Sequence, residues 1–359
     1  MQILIHTLAT WVELMALAFC IGVLACRLWV FSPAPGNTAP QPDGSLAALW
    51  RLFGIGIALM AAGSIIELAM RTAEMSGRPM AASLPVLPIV LSKTHYGHVW
   101  LVRVSALFLL LVGWGIDRRF RGSRAFPAFM LCMGVVFAFC RSASGHASDA
   151  GDFSIPEIMD WVHLVAASVW GGGLFALSAV ILPRLVTPDA RHKTALADVA
   201  RRFSRIAGLS VGAVVVTAIY NAWISMGSLD HLWNTPYGLT ASAKISLLLL
   251  LLSLGAFNRY ISVPLLQQWA DRHPGPMGLT GHIANRISSF FRQSRDGRAT
   301  AFRFKRSVML EALLIAATLF SAALLQHEIP ARHLSHFQHQ GRHQGGGGAP
   351  HAGHEHPHH

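Results

Sequence analysis

The stretch WVELMALAFCIGVL, from Trp11 to Leu24, decides the fold, because it returns later in the chain as WVHLVAASVWGGGL from Trp161 to Leu174. The two align without a gap: Trp11 falls on Trp161, Val12 on Val162, Leu14 on Leu164, Ala16 on Ala166, Gly22 on Gly172 and Leu24 on Leu174. A second match has the same internal spacing, with Thr94, Tyr96, Gly97 and Arg103 falling on Thr235, Tyr237, Gly238 and Lys244. Self-similarity of this kind means one structural unit used twice.

Composition says what the unit is. The 359 residues are 53% hydrophobic and only 13% charged, with mean hydropathy +0.44, too apolar for a water-soluble globule. About 20 apolar residues in helical form cross a bilayer's hydrocarbon. Windows of that kind lie near 8–31, 47–70, 98–116, 125–141, 158–182, 207–226, 242–263 and 307–327, eight in all. The expected fold is therefore an all-α membrane protein of about eight transmembrane helices, arranged as two parallel four-helix repeats. Four is even, so both halves share one orientation, as in parallel-repeat transporters whose sites sit at the repeat interface. The expected domains are 1–150 for the first repeat and 151–327 for the second, with a basic segment at 264–306 and a His-rich tail at 328–359.

The net charge of +12 reports topology rather than nucleic-acid binding. Segments 117–124, 183–206 and 264–306 hold 18 Lys and Arg together, whereas 1–7, 71–97, 142–157, 227–241 and 328–359 hold 5. By the positive-inside rule the first set is cytoplasmic, which puts both termini outside. The first span has no Lys or Arg before it and carries Glu13, so it is expected to stay as a helix rather than be cleaved as a signal peptide. Cys20, Cys26, Cys132 and Cys140 all fall inside predicted spans and are poorly placed for a disulfide framework. Pro85 and Pro88 argue against a regular helix over 81–91, and an irregular or interfacial segment is expected there. Between Leu279 and Phe291, Ile283, Ile287 and Phe291 share a face beside Arg286 and Arg292, the pattern of an amphipathic helix on the cytoplasmic leaflet; a solvated basic linker is the alternative.

Topology makes the histidines informative. Only His192, His273 and His282 of the 19 fall in cytoplasmic segments. Nine stand in the final 27 residues, at His333, His336, His339, His343, His351, His354, His356, His358 and His359, in a Gly-rich setting with no core to pack into. Imidazole suits copper, zinc, nickel and iron, so the tail reads as a metal-capturing segment; a solubility tail or purification tag is the bland alternative. Within the body, His95 and His98 precede span three, His146 follows span four, His163 lies in span five and His327 ends span eight.

Asp160 and His163 share a helix face near the outer boundary, where the acid either binds metal with the imidazole or orients it. Glu13 is the repeat counterpart of His163, and Glu67, Arg103, Arg141 and Asn221 lie at similar depth. Charges inside a bilayer face protein or water, so these mark a candidate site. The alternative for the acids is a structural ion-pair network, for instance Glu13 or Glu67 with Arg103 or Arg141. Met130, Met133 and Cys140 would suit a soft-ligand path for Cu(I), though such residues also fill apolar cores. The candidate metal residues are thus His146, Asp160, His163, Glu13, Glu67, His98, His327 and the tail imidazoles. There is no nucleotide-binding loop, HExxH pair or GxSxG elbow, and catalysis is not indicated.

Several short strings stand in a telling order: Ser144-Gly145-His146-Ala147, Asp160-Trp161-Val162-His163-Leu164, Trp170-Gly171-Gly172, Phe203-Ser204, Thr217 to Asn221, Thr235-x-Tyr237-Gly238-x5-Lys244 and Asn258-Arg259. In this series the chain resembles the bacterial copper-resistance protein D (CopD) family of inner-membrane proteins, most clearly over about 140–325. The resemblance implies copper-ion handling across the inner membrane, in the direction of uptake from the periplasm, often beside a small periplasmic copper carrier of the CopC type. The His tail and segment 264–306 look like additions to the family core, and the tail puts in doubt the need for a separate carrier. A b-type haem-binding electron-transfer protein and a non-transporting copper receptor or assembly factor are the rival readings.

Overall fold

The computed structural model describes residues 2–31, 44–120, 123–145, 151–187, 190–226, 236–270 and 297–325. Among these residues there is helix and no strand, as apolar segments require when the surrounding lipid offers their backbone no hydrogen bonds. The long helices are α1 (Gln2–Ala25), α2 (Ser45–Ser76), α5 (His95–Ile116), α6 (Ala125–Ser142), α7 (Ile155–Ala176), α9 (Ala190–Met226), α10 (Pro236–Phe257) and α12 (Gly297–Leu325). Short pieces α3 (Met80–Ser83), α4 (Leu87–Lys93), α8 (Leu182–Leu185) and α11 (Val263–Trp269) complete the set. Among the described residues eight helical segments are long and apolar enough to cross a membrane, the number expected from hydropathy.

Local chemistry sets the ends. The Thr94 hydroxyl accepts from Gly97 N at 3.0 Å to start α5, Ser154 caps α7 ahead of Pro156, and Gly77 closes α2 in the left-handed conformation. No single regular helix runs through 81–91, as the prolines predict, but the stretch is a chain of short helical pieces rather than irregular backbone. Each proline sits in the first turn of a new short helix, where its missing N–H is no loss: Pro85 in the 3-10 turn Leu84–Val86 and Pro88 in α4. Among the described residues three helices carry π-helical turns: Cys26–Val30 after α1, Leu177–Ile181 after α7 and Asn258–Ser262 after α10.

Spans one and five form the centre. Their apolar windows are 67% and 61% buried, against 11–44% for the other six. Glycine explains how they meet: a Cβ on Gly22 would run into the Gly172 backbone, and one on Gly172 into the Ala18 carbonyl. Such contact between backbones is how helices associate in lipid, where burial of apolar surface gives no drive. The two repeat-matched tryptophans bind outward from this crossing. Trp11 donates its indole N–H to Ala316 O on α12 at 2.9 Å and meets Phe320 edge-on. Trp161 donates to Val135 O on α6 at 3.1 Å and meets Phe139 edge-on.

Candidate functional site

Two polar clusters lie within the helical bundle, one on α1, α2, α5 and α6 and the other on α7, α9 and α10. In the first, Arg103 of α5 donates Nη2 to Glu13 Oε1 and Nη1 to Glu67 Oε2 at 2.7 Å. Arg141 of α6 donates Nη1 to Glu67 Oε1 at 2.7 Å, and its Nε lies 3.6 Å from Glu13 Oε2. The Ser64 hydroxyl also donates to Glu13 Oε1, at 2.9 Å. Arg103 is fully buried with its guanidinium over the Phe137 ring. Two carboxylates and two guanidiniums balance in charge, so the cluster meets the cost of burying ions with partners. His6 lies within electrostatic reach of Glu67.

The second cluster is built differently. His163 of α7 places Nδ1 2.9 Å from the Thr217 hydroxyl of α9. That hydroxyl gives its own proton to the backbone, to Ala213 O at 2.7 Å and Val214 O at 3.2 Å. Its lone pair therefore accepts from Nδ1–H, which fixes the neutral tautomer whose Nε2 carries the free lone pair. One helical turn earlier, Asp160 Oδ2 accepts from Ser142 Oγ at 2.8 Å, tying the end of α6 to α7. Lys244 of α10 lies within electrostatic reach of both His163 and Asp160.

Of the remaining sequence candidates, His98 is exposed at the start of α5, 3.3 Å from the Ser92 carbonyl. His95 stands 3.4 Å from Asp152. Met130 and Cys140 are buried in core packing, with Met130 against Gly113. His146, His327 and the tail histidines from His333 to His359 lie outside the described residues, as does the amphipathic reading of 279–291. Among the described residues no three His, Cys, Asp or Glu side chains form a ready-made metal cage. What the second cluster offers is an oriented imidazole with a carboxylate one helical turn away on the same helix.

Two family models cover most of the chain. The copper resistance protein D model matches residues 197–325, and the copper resistance protein D-like N-terminal domain model matches residues 1–154. The chain belongs to the CopD family. Copper transport protein CutJ of Bacillus subtilis is 28% identical over 60% of this chain and 38% of its own length. Copper resistance protein D of Pseudomonas syringae pv. tomato is 23% identical over 58% of this chain and 68% of its own, and inner membrane protein YebZ of Escherichia coli is 26% identical over 50% and 59%. The matched region thus spans less than two thirds of CutJ and of YebZ. No solved structure matches.

Asp160, His163, Thr217 and Lys244 all belong to the strings that carried the family resemblance, and the fold brings them together. Sequence reading had not placed Thr217 and Lys244 in the site. A signal for both was present: Thr217 follows His163 by 54 residues, as Glu67 follows Glu13, and Lys244 is the repeat counterpart of Arg103.

Proposed function

We propose that this CopD-family chain moves copper ions across the bacterial inner membrane, from the periplasm inward, through a site centred on His163. In this reading both termini are periplasmic, the His-rich tail gathers metal at the outer face, and a CopC-type carrier is an alternative donor to the same face. The protein acts as a conduit rather than an enzyme.

The observation that carries the reading is the His163–Thr217 hydrogen bond. It leaves Nε2 as the one ring nitrogen able to bind a metal, and it holds the ring in place while doing so. Asp160, one turn away, supplies negative charge to an arriving cation. Lys244 opposes that charge in the resting protein and yields the carboxylate to the metal as it binds.

Duplication supports the assignment. We read the chain as two four-helix halves related by an approximate two-fold axis near the Gly22–Gly172 crossing. Glu13, Glu67 and Arg103 then correspond to His163, Thr217 and Lys244. The first trio is closed by ion pairs and serves as a strut; the second keeps a lone pair uncommitted and serves as the binding site.

Copper uptake into vesicles tests this directly. His163→Ala and Asp160→Asn are expected to cut the rate at least tenfold while the protein stays folded. Unchanged uptake in both variants removes these residues from the pathway.

A further inference from the structure

A third polar group lies further along the second half of the bundle. Glu311 of α12 is 3% exposed, and the side-chain amide of Asn258, at the start of the π-helical turn, lies with Nδ2 2.5 Å from Glu311 Oε1. Asn258 is itself 6% exposed, and its Oδ1 has no hydrogen-bond partner among the described residues. Both side chains line a cavity of about 370 Å³ whose wall also includes Trp170, Leu174, Phe203, Leu251 and Phe304. The faces that α7, α9 and α10 turn to this cavity carry no ionisable side chain. The π-helical turn contributes Arg259 and Tyr260, and the Arg259 guanidinium donates to the Ser204 carbonyl. Trp170 stands seven residues beyond His163 on α7, so the cavity lies about 10 Å along that helix from the imidazole.

A carboxylate in this position has one amide donor and no ion pair among the described residues, and burying such a charge is expensive. One proton removes that charge and also accounts for the unpartnered oxygen. The two ends of an Asn amide exchange places by a half-turn of the side chain. In the turned position Oδ1 accepts from the carboxyl O–H, and Nδ2 faces a cavity roomy enough for water. A metal cation suits the place less well: among the lining residues Glu311 is the one carboxylate and Asn258 the one side-chain amide, and Arg259 adds positive charge to the same wall.

We propose that Glu311 and Asn258 form a proton-binding site inside the membrane, loaded through this cavity and separate from the copper site at His163. The carboxylate takes a proton from hydronium, leaving water and the neutral acid, and on release gives the proton back to water as hydronium. This assignment does not depend on the copper reading.

The test is infrared spectroscopy of the full-length protein in lipid, with glutamate carboxyls isotopically labelled, at neutral pH and with choline as the bulk cation. The wild type is expected to show the C=O stretch of a protonated carboxylic acid that is absent from Glu311→Gln and shifted in Asn258→Leu. The band should persist when sodium replaces choline. Glu311→Gln resembles the protonated acid in shape and charge, so it should fold and run on size exclusion as the wild type does. Absence of the band in the wild type overturns the proposal, as does a Glu311→Gln protein that fails to fold because the charge is needed. Loss of the band on adding sodium also overturns it, and makes the place a cation site.

Discussion

Trp11 and Trp161 make the same pair of contacts on opposite sides of the bundle. Each donates its indole N–H to a backbone carbonyl and meets, edge-on, the phenylalanine four residues further along the same helix. The interplanar angles are 86° and 87°. Each contact also crosses between the proposed halves: Trp11 reaches α12 and Trp161 reaches α6. The halves are therefore laced together by their first helices.

If the two contacts are equivalent, they should be equal in worth. Trp11→Phe and Trp161→Phe each delete one hydrogen bond and keep an aromatic ring, at an expected cost of about 1 kcal/mol apiece. Unfolding in mixed micelles measures both. A large cost for one and none for the other contradicts the symmetric reading.

Arg103 is the keystone of the first cluster, since it bonds both Glu13 and Glu67. Arg103→Met leaves buried carboxylates short of a counter-ion and should destabilise by about 3–5 kcal/mol. Adding Glu13→Gln to that variant should recover part of the loss. Stability measured across this double-mutant cycle checks the coupling, and simple additivity would refute it.

Thr217→Val keeps the shape of the side chain but removes the acceptor for His163 Nδ1–H. Copper affinity, measured by competition with a chelator, is expected to fall about 10- to 100-fold, the usual penalty for losing the group that orients a ligating imidazole. Thr217→Ser should retain it.

Lys244 works in the opposite sense. Removing one positive charge near the metal with Lys244→Met is expected to tighten copper binding by roughly tenfold, the scale of one charge–charge interaction across about 12 Å at an effective dielectric near 20. Weaker binding in this variant would mean that Lys244 organises the site rather than opposing the metal.

The eight spans and the family were legible in the chain, because hydropathy over about 20 residues is a strong signal in lipid. The helix limits were not. α9 begins at Ala190, within a segment read as a basic connection, because Arg201, Arg202 and Arg205 are good helix formers that a hydropathy window counts as breaks. The candidate site was half visible. Glu13, Glu67 and His163 stood out as ionisable groups at one depth. That the two acids are clasped by Arg103 and Arg141 while His163 meets the Thr217 hydroxyl and, among the described residues, no carboxylate partner closes on it depends on side-chain packing across six helices, and no local pattern encodes it.

The bare backbone contact at Gly22 and Gly172 has a genetic corollary. Each residue is the other's neighbour, so a methyl group added on either side is felt by both helices at once. Drift that remodels one half of the molecule must leave this position alone, and libraries of random substitutions should return both sites almost invariant while the lipid-facing residues around them vary freely.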